Sequence, residues 1–251
     1  MIRSVIPMMI VAHRGASKEA PENTFAAFEL AYKDGADAIE TDVHLTKDSI
    51  PIIMHDETVN RTTNGKGYIQ DYTYEEIKTL HANAQFSTRF TQERIPTLEE
   101  LLQWSVSKDI LLNIELKNNK IDYNHLEKIV YELICTYNMN ERIILSSFNP
   151  ESIKRLQIYK DDLEIAYLTS NHKNLMKRAE DLGVKSLHLK HSIINKKLMK
   201  ACLQNQLTVR AYTVNKTSHI KRIVDLQCHG IITDMPGEAR RTLDAYQPLK
   251  K

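Results

Sequence analysis

Eight short apolar runs recur along the 251 residues, most of them followed by a stretch with helical periodicity: Met8 to His13, Ala38 to His44, Ile110 to Lys117, Arg142 to Phe148, Leu163 to Thr169, Ser186 to Lys190, Leu207 to Val214 and Gly230 to Asp234. Strands that alternate with helices pair in parallel, because each helix carries the chain back to the starting edge of the sheet. Eight such units in roughly 250 residues are what a TIM (β/α)8 barrel requires, and one domain spanning residues 1–251 is the expectation. The rival is an open doubly wound sheet. Its glycine fingerprint is missing, because Gly65-Lys66-Gly67 is followed by Gln70 where the third glycine would stand.

One stretch breaks the alternation. Residues 57–108 hold Gly65, Gly67, the tyrosines Tyr68, Tyr72 and Tyr74, and two helical pieces, Thr73 to Leu80 and Thr97 to Lys108. An insertion after a barrel strand lies over the active face, where it serves either as a cover for substrate or as a solvent-facing decoration.

Charge and cysteine usage exclude several classes. Lys and Arg number 34 and Asp and Glu 32, for a net charge of +2, so nothing draws the whole molecule to nucleic acid or an anionic membrane. Cys135, Cys202 and Cys228 form no Cys-x-x-Cys or framework spacing, which predicts a reducing, cytoplasmic setting. The stretch Met1 to Ala12 carries one arginine, is broken by Pro7 and lacks the form of a leader, and no apolar run reaches the ~18 residues of a transmembrane segment. Oligomeric state is not legible.

The chemistry is written on alternating strand positions. In Ile39-Glu40-Thr41-Asp42-Val43, Glu40 and Asp42 share one face, and in Ile114-Glu115-Leu116-Lys117 the charged pair opposes the apolar pair. Like charges two apart on one strand face repel unless a cation intervenes. Glu40, Asp42 and Glu115 therefore suit one hard divalent cation, Mg²⁺ or Ca²⁺, which prefers oxygen ligands. Arg14 and Lys117 add the fixed positive charge that a phosphate favours.

The ordered set His13-Arg14-Gly15, Pro21-Glu22-Asn23-Thr24, Glu40-x-Asp42-Val43, Leu45-Thr46-Lys47-Asp48, Pro51-Ile52-Ile53-Met54-His55-Asp56, Arg61-Thr62-Thr63, Asn113-x-Glu115-x-Lys117, Thr213-Val214-Asn215 and Ile232-Thr233-Asp234-x-Pro236 resembles the glycerophosphodiester phosphodiesterase family across the whole chain. The resemblance implies a TIM barrel that binds one divalent cation and hydrolyses glycerophosphodiesters to glycerol 3-phosphate and an alcohol. It also implies that His13 and His55 divide the proton work, one removing a proton and one donating it; which does which is open. Imidazoles titrate near neutrality, so either role is feasible.

Two departures stand out: Tyr212 replaces the family's usual Trp, and Ser49 replaces a glycine after Asp48. Tyr212 and Asn215 are expected to meet the glycerol end of a small-molecule substrate. Pro21-Glu22-Asn23-Thr24 reads equally as a helix cap or a ligand contact, and Arg61 as a phosphate contact or a solvated loop residue. His44 shares the face of Glu40 and Asp42 and is expected beyond the strand end, facing solvent. Two alternatives remain: a lysophospholipase D type of hydrolase on the same fold, and a catalytically silent barrel that binds phosphorylated ligands.

Overall fold

The computed structural model describes residues 8–84, 86 and 88–246, so residues 1–7, part of the stretch inspected for a leader, lie outside the described residues. Strands β1 (Met9–His13), β2 (Ala38–Leu45), β4 (Leu111–Leu116), β5 (Ile143–Ser147), β6 (Glu164–Thr169), β7 (Ser186–Lys190), β8 (Thr208–Tyr212) and β9 (Gly230–Thr233) pair in parallel. The ring closes because β1 pairs with both β2 and β9. It is an eight-stranded (β/α)8 barrel, and each of the eight runs marked in the sequence supplies one strand.

The remaining strand, β3 (Pro51–Ile53), stands outside the ring and pairs antiparallel with the end of β2, Val43 opposite Ile53 and Leu45 opposite Pro51. The connecting turn places Ser49 at φ 64°, the left-handed conformation that a glycine adopts freely.

The helices are α1 (Phe25–Lys33), α2 (Tyr74–Ile77), α3 (Leu98–Ser105), α4 (Leu126–Thr136), α5 (Pro150–Leu156), α6 (Leu175–Asp181), α7 (Lys196–Gln204), α8 (Thr217–Asp225) and α9 (Pro236–Ala245). Local sequence sets their starts. Thr24 caps α1, Thr97 and Glu100 form a capping box on α3, and Asn149 caps α5 ahead of Pro150. None is long and apolar enough to cross a membrane.

Two hydrophobic clusters explain the broken alternation. Ile52, Met54, Val59, Ile69, Ile77, Ala82 and Ile95 bury one another in a small core of their own. Helix α3, although inside the span expected as insertion, buries Leu98, Leu101 and Leu102 in the main core and acts as the barrel helix between β2 and β4. The added module therefore occupies roughly residues 54–96, and it is packed rather than splayed into solvent.

Candidate active site

Register brings the acidic residues together. Glu40 lies opposite Asn113 and Asp42 opposite Glu115 on adjacent parallel strands, so all four side chains share the inward face. Glu40, Asp42 and Glu115, all buried, each offer a carboxylate oxygen within 4.8 Å of the others. Lys117 Nζ donates to Glu115 Oε1 at 2.9 Å and lies 3.5 Å from Asp42 Oδ1. Arg14 donates from Nη1 to Glu22 Oε1 at 2.9 Å, while its Nε lies 3.4 Å from Asp42 Oδ2.

These charges do not balance. Burial opposes the Asp42 charge, but Lys117 and then Arg14 hold it well below the usual carboxylate range. Burial and then the Asp42 charge push Glu40 far up. Burial would lower Lys117, but Glu115 and Asp42 keep it firmly charged. Asp42 Oδ1 is buried without a hydrogen bond. An orphaned carboxylate oxygen and two further carboxylates within reach, whose charges oppose one another, fit a hard divalent cation among the three.

Both histidines have their Nδ1 engaged. His13 Nδ1 donates to Asp234 Oδ1 at 2.6 Å and His55 Nδ1 to Asp56 Oδ1 at 2.7 Å. That leaves each Nε2 for a shared pocket of about 170 Å³, which His13 and His55 line with Glu40, Glu115 and Asn113. Burial pulls His13 down, but Glu40 and the Asp234 hydrogen bond outweigh it and raise it overall. Burial opposes the Asp234 charge, but His13 and then the Asn215 hydrogen bond hold that carboxyl below its ordinary value. Apolar surface comes from Phe148, Leu168, Ile232 and Tyr212, with the Phe148 and Tyr212 rings edge-on at 5.8 Å. Asn113 has neither amide atom hydrogen-bonded within the protein.

Asn215 lies against Asp234. One hydrogen of its Nδ2 donates to Asp234 Oδ2 at 2.5 Å and its Oδ1 accepts from Thr233 Oγ1 and the Asp234 N–H, so it holds the carboxylate that orients His13. His44 is a correction. It is fully buried inside β2, because the β3 pairing extends that strand to Leu45 and covers it, with Nδ1 against Tyr123 Oη and Nε2 against the His55 carbonyl.

The Pro21–Thr24 segment supplies the helix cap considered for it and a contact with the acidic cluster. Thr24 caps α1, and Asn23 donates to Asp42 Oδ2 at 2.9 Å while accepting from Thr41 Oγ1. Arg61 touches neither solvent alone nor the pocket; it clamps Asp56 to Glu22 through four hydrogen bonds. Asp56, Asp234 and Glu22 all sit in quoted motifs; Asp56 stands next to the His55 it anchors, whereas the partners of Asp234 and Glu22 lie in other segments and nothing local announced them.

Comparison with known proteins agrees with this geometry. The glycerophosphoryl diester phosphodiesterase family model matches residues 13–238. The glycerophosphodiester phosphodiesterase of Caldanaerobacter subterraneus is 41% identical over 229 residues, covering 91% of this chain and 94% of that protein. The glycerophosphodiester phosphodiesterase of Bacillus altitudinis is 38% identical over 235 residues, covering 92% and 96%. Among solved structures, an Oleispira antarctica phosphodiesterase in complex with the product sn-glycerol-3-phosphate superposes with a TM-score of 0.86 at 28% identity, covering 96% of this chain and 98% of that one. The motifs, the closed barrel and these matches over nearly the full length lead to one conclusion: the chain belongs to the glycerophosphoryl diester phosphodiesterase family.

Proposed function

We propose that the protein is a metal-dependent phosphoric diester hydrolase that cleaves glycerophosphodiesters to glycerol 3-phosphate and an alcohol, with His13 and His55 as its acid and base. The observation that carries the reading is the pairing of two imidazoles, each anchored at Nδ1 by a carboxylate, on one pocket with the Glu40, Asp42 and Glu115 cluster. Binding of glycerol 3-phosphate by the Oleispira phosphodiesterase supports it.

Hydrolysis of a phosphodiester requires proton removal from the attacking oxygen, proton delivery to the leaving oxygen, and stabilisation of charge on the non-bridging oxygens. A divalent cation, Mg²⁺ or Ca²⁺, held by Glu40, Asp42 and Glu115 supplies positive charge toward those oxygens. Asp234 and Asp56 fix the ring orientation and tautomer of His13 and His55, so that one Nε2 accepts a proton while the other donates one. Arg14 and Lys117 add charge to the same face, and the Phe148 and Tyr212 rings give the glycerol carbons an apolar wall. Asn215 acts one step back, on Asp234.

The test is a panel of glycerophosphocholine, glycerophosphoethanolamine and lysophosphatidylcholine, each with Mg²⁺, Ca²⁺ or chelator, scored by release of the free alcohol, choline or ethanolamine. Release that needs metal and is lost in His13→Ala and His55→Ala is the expected result. Hydrolysis confined to the lysophospholipid would favour the lysophospholipase D reading. Binding without hydrolysis of any substrate would favour the silent barrel.

A further inference from the structure

We infer that His44 and Tyr123 form a positioning relay that sets the His55 imidazole, an inference that rests on the reading of His55 as a catalytic residue. His44 lies two residues beyond Asp42 on β2, fully buried. Its Nε2 is 3.1 Å from the backbone carbonyl oxygen of His55, and its Nδ1 is 3.0 Å from Tyr123 Oη. The two rings stand edge-on, with centroids 5.6 Å apart at 78°.

Hydrogen-bond chemistry gives the chain one direction. A carbonyl oxygen can only accept, so His44 Nε2 carries a hydrogen. The other nitrogen of a neutral imidazole can then only accept, so the Tyr123 hydroxyl donates to it. The order is Tyr123 O–H to His44 Nδ1, then His44 Nε2–H to the His55 carbonyl.

The location explains what this accomplishes. β3 ends at Ile53, and the last backbone bond toward β2 runs from Met54 N–H to the Asp42 carbonyl at 3.0 Å. His55 lies one residue past that bond, where the ladder has no further rung to hold it, and the His44 side chain replaces the rung. Tyr123 belongs to the loop between β4 and α4. Lys120 of the same loop donates to Glu57 Oε2 at 2.9 Å, two residues beyond His55. The strand that carries Glu115 is thus coupled through its own loop to the peptide that carries His55. Asp56 fixes the ring of His55 from the side chain, and His44 fixes it from the main chain.

The relay is tested with Tyr123→Phe, which keeps the ring and removes the hydroxyl, and with His44→Leu and His44→Gln, the second of which retains a donor. Glycerophosphocholine turnover should fall on the order of 10 to 100-fold in kcat for Tyr123→Phe and His44→Leu, with KM changed less than about twofold and His44→Gln partly rescued. In a His55→Ala background the same substitutions should cause no further loss, as residues acting through one group are not additive. Nitrogen NMR of labelled histidine should show His44 in the Nε2-protonated tautomer in the wild type and a mixture in Tyr123→Phe.

An Nδ1-protonated His44, or an equal fractional loss in the presence and absence of His55, would overturn the relay. If His44→Leu does not fold, Tyr123→Phe decides the matter alone. A fully active His55→Ala would remove the reading of His55 and this proposal with it, whereas an inactive His55→Ala beside an unaffected Tyr123→Phe would remove the relay only.

Discussion

Replacing Glu40 by Gln should make the metal-free protein more stable, an unusual outcome for a buried charged residue in an active site. Glu40 is 3% exposed, and burial followed by the neighbouring Asp42 charge raises its carboxyl from 4.5 to about 8. A folded-state pKa above the unfolded one gives stability that is complete below pH 4.5 and is lost as pH rises through about 8. Between pH 4.5 and pH 7 the loss is roughly 3 kcal/mol, at about 1.4 kcal/mol per unit. Gln removes the titration yet keeps an oxygen for the Arg14 N–H, which Glu40 Oε2 accepts at 3.0 Å.

At pH 8 the same slope gives a loss of roughly 4 kcal/mol, and since 1 kcal/mol moves Tm by roughly 2–4 °C for a chain of this length, the variant should melt about 8–16 °C above the wild type there in chelator and close to it near pH 5. His13, which Glu40 raises, titrates lower in the variant and trims the difference; titrating groups remote from Glu40 largely cancel. Calorimetry at both pH values, with chelator and then with Mg²⁺ or Ca²⁺, measures this directly. Added cation should raise the wild-type Tm and raise that of Glu40→Gln far less. A variant that melts lower than the wild type at pH 8 without metal, or that shows the same pH slope, would refute the argument that the three carboxylates are held together against their own repulsion.

Gly15→Ala should lower both Tm and activity: Gly15 sits at φ 81° and an added Cβ would fall 2.6 Å from the Ala27 backbone carbon, a clash and strain worth about 1–3 kcal/mol next to His13 and Arg14, so an unchanged melt would contradict it. Acid should destabilise the fold through buried neutral histidines. Burial lowers His44 to about 4 and His188 well below 6.5, so the unfolded chain binds protons that the folded chain refuses, and stability is lost as pH falls from 6.5 toward 4, by about 3 kcal/mol for His44; urea midpoints across that range should flatten in His188→Gln if this is right. Arg61→Met should change stability by less than about 1 kcal/mol, its pairs being partly solvated, but should lower kcat several-fold by loosening Asp56 behind His55; a loss of stability without loss of kcat would show the clamp to be structural.

The barrel was legible because its signal is local. Each strand is a short apolar run, and the period of two placed Glu40, Asp42 and Glu115 on one face before any pairing was known. Pairings across sequence were not legible. Asp234 reaches His13, Glu22 reaches Arg14 and Arg61, and Asn215 holds Asp234, all through folding of distant segments. His44 was misjudged for a related reason: three residues, Pro51–Ile53, form a strand too short to show a period, yet they decide that His44 is covered. α3 was grouped with the insertion because its apolar face is the same whether it packs on the barrel or on the added module.

The bond between His13 and Asp234 spans 221 residues and joins the first strand of the ring to the residue just past the last. As the chain leaves the ribosome, β1, β2 and β4 can assemble the carboxylate cluster and the β3 segment can deliver His55 while more than half of the sequence is still unmade. His13 gains its orienting carboxylate only when β9 zips onto β1. Unfinished or C-terminally clipped chains that stop short of this seam keep His13 but lack the carboxylate that orients it, so the topology itself serves as a completeness check: the pocket is whole only after the barrel has shut.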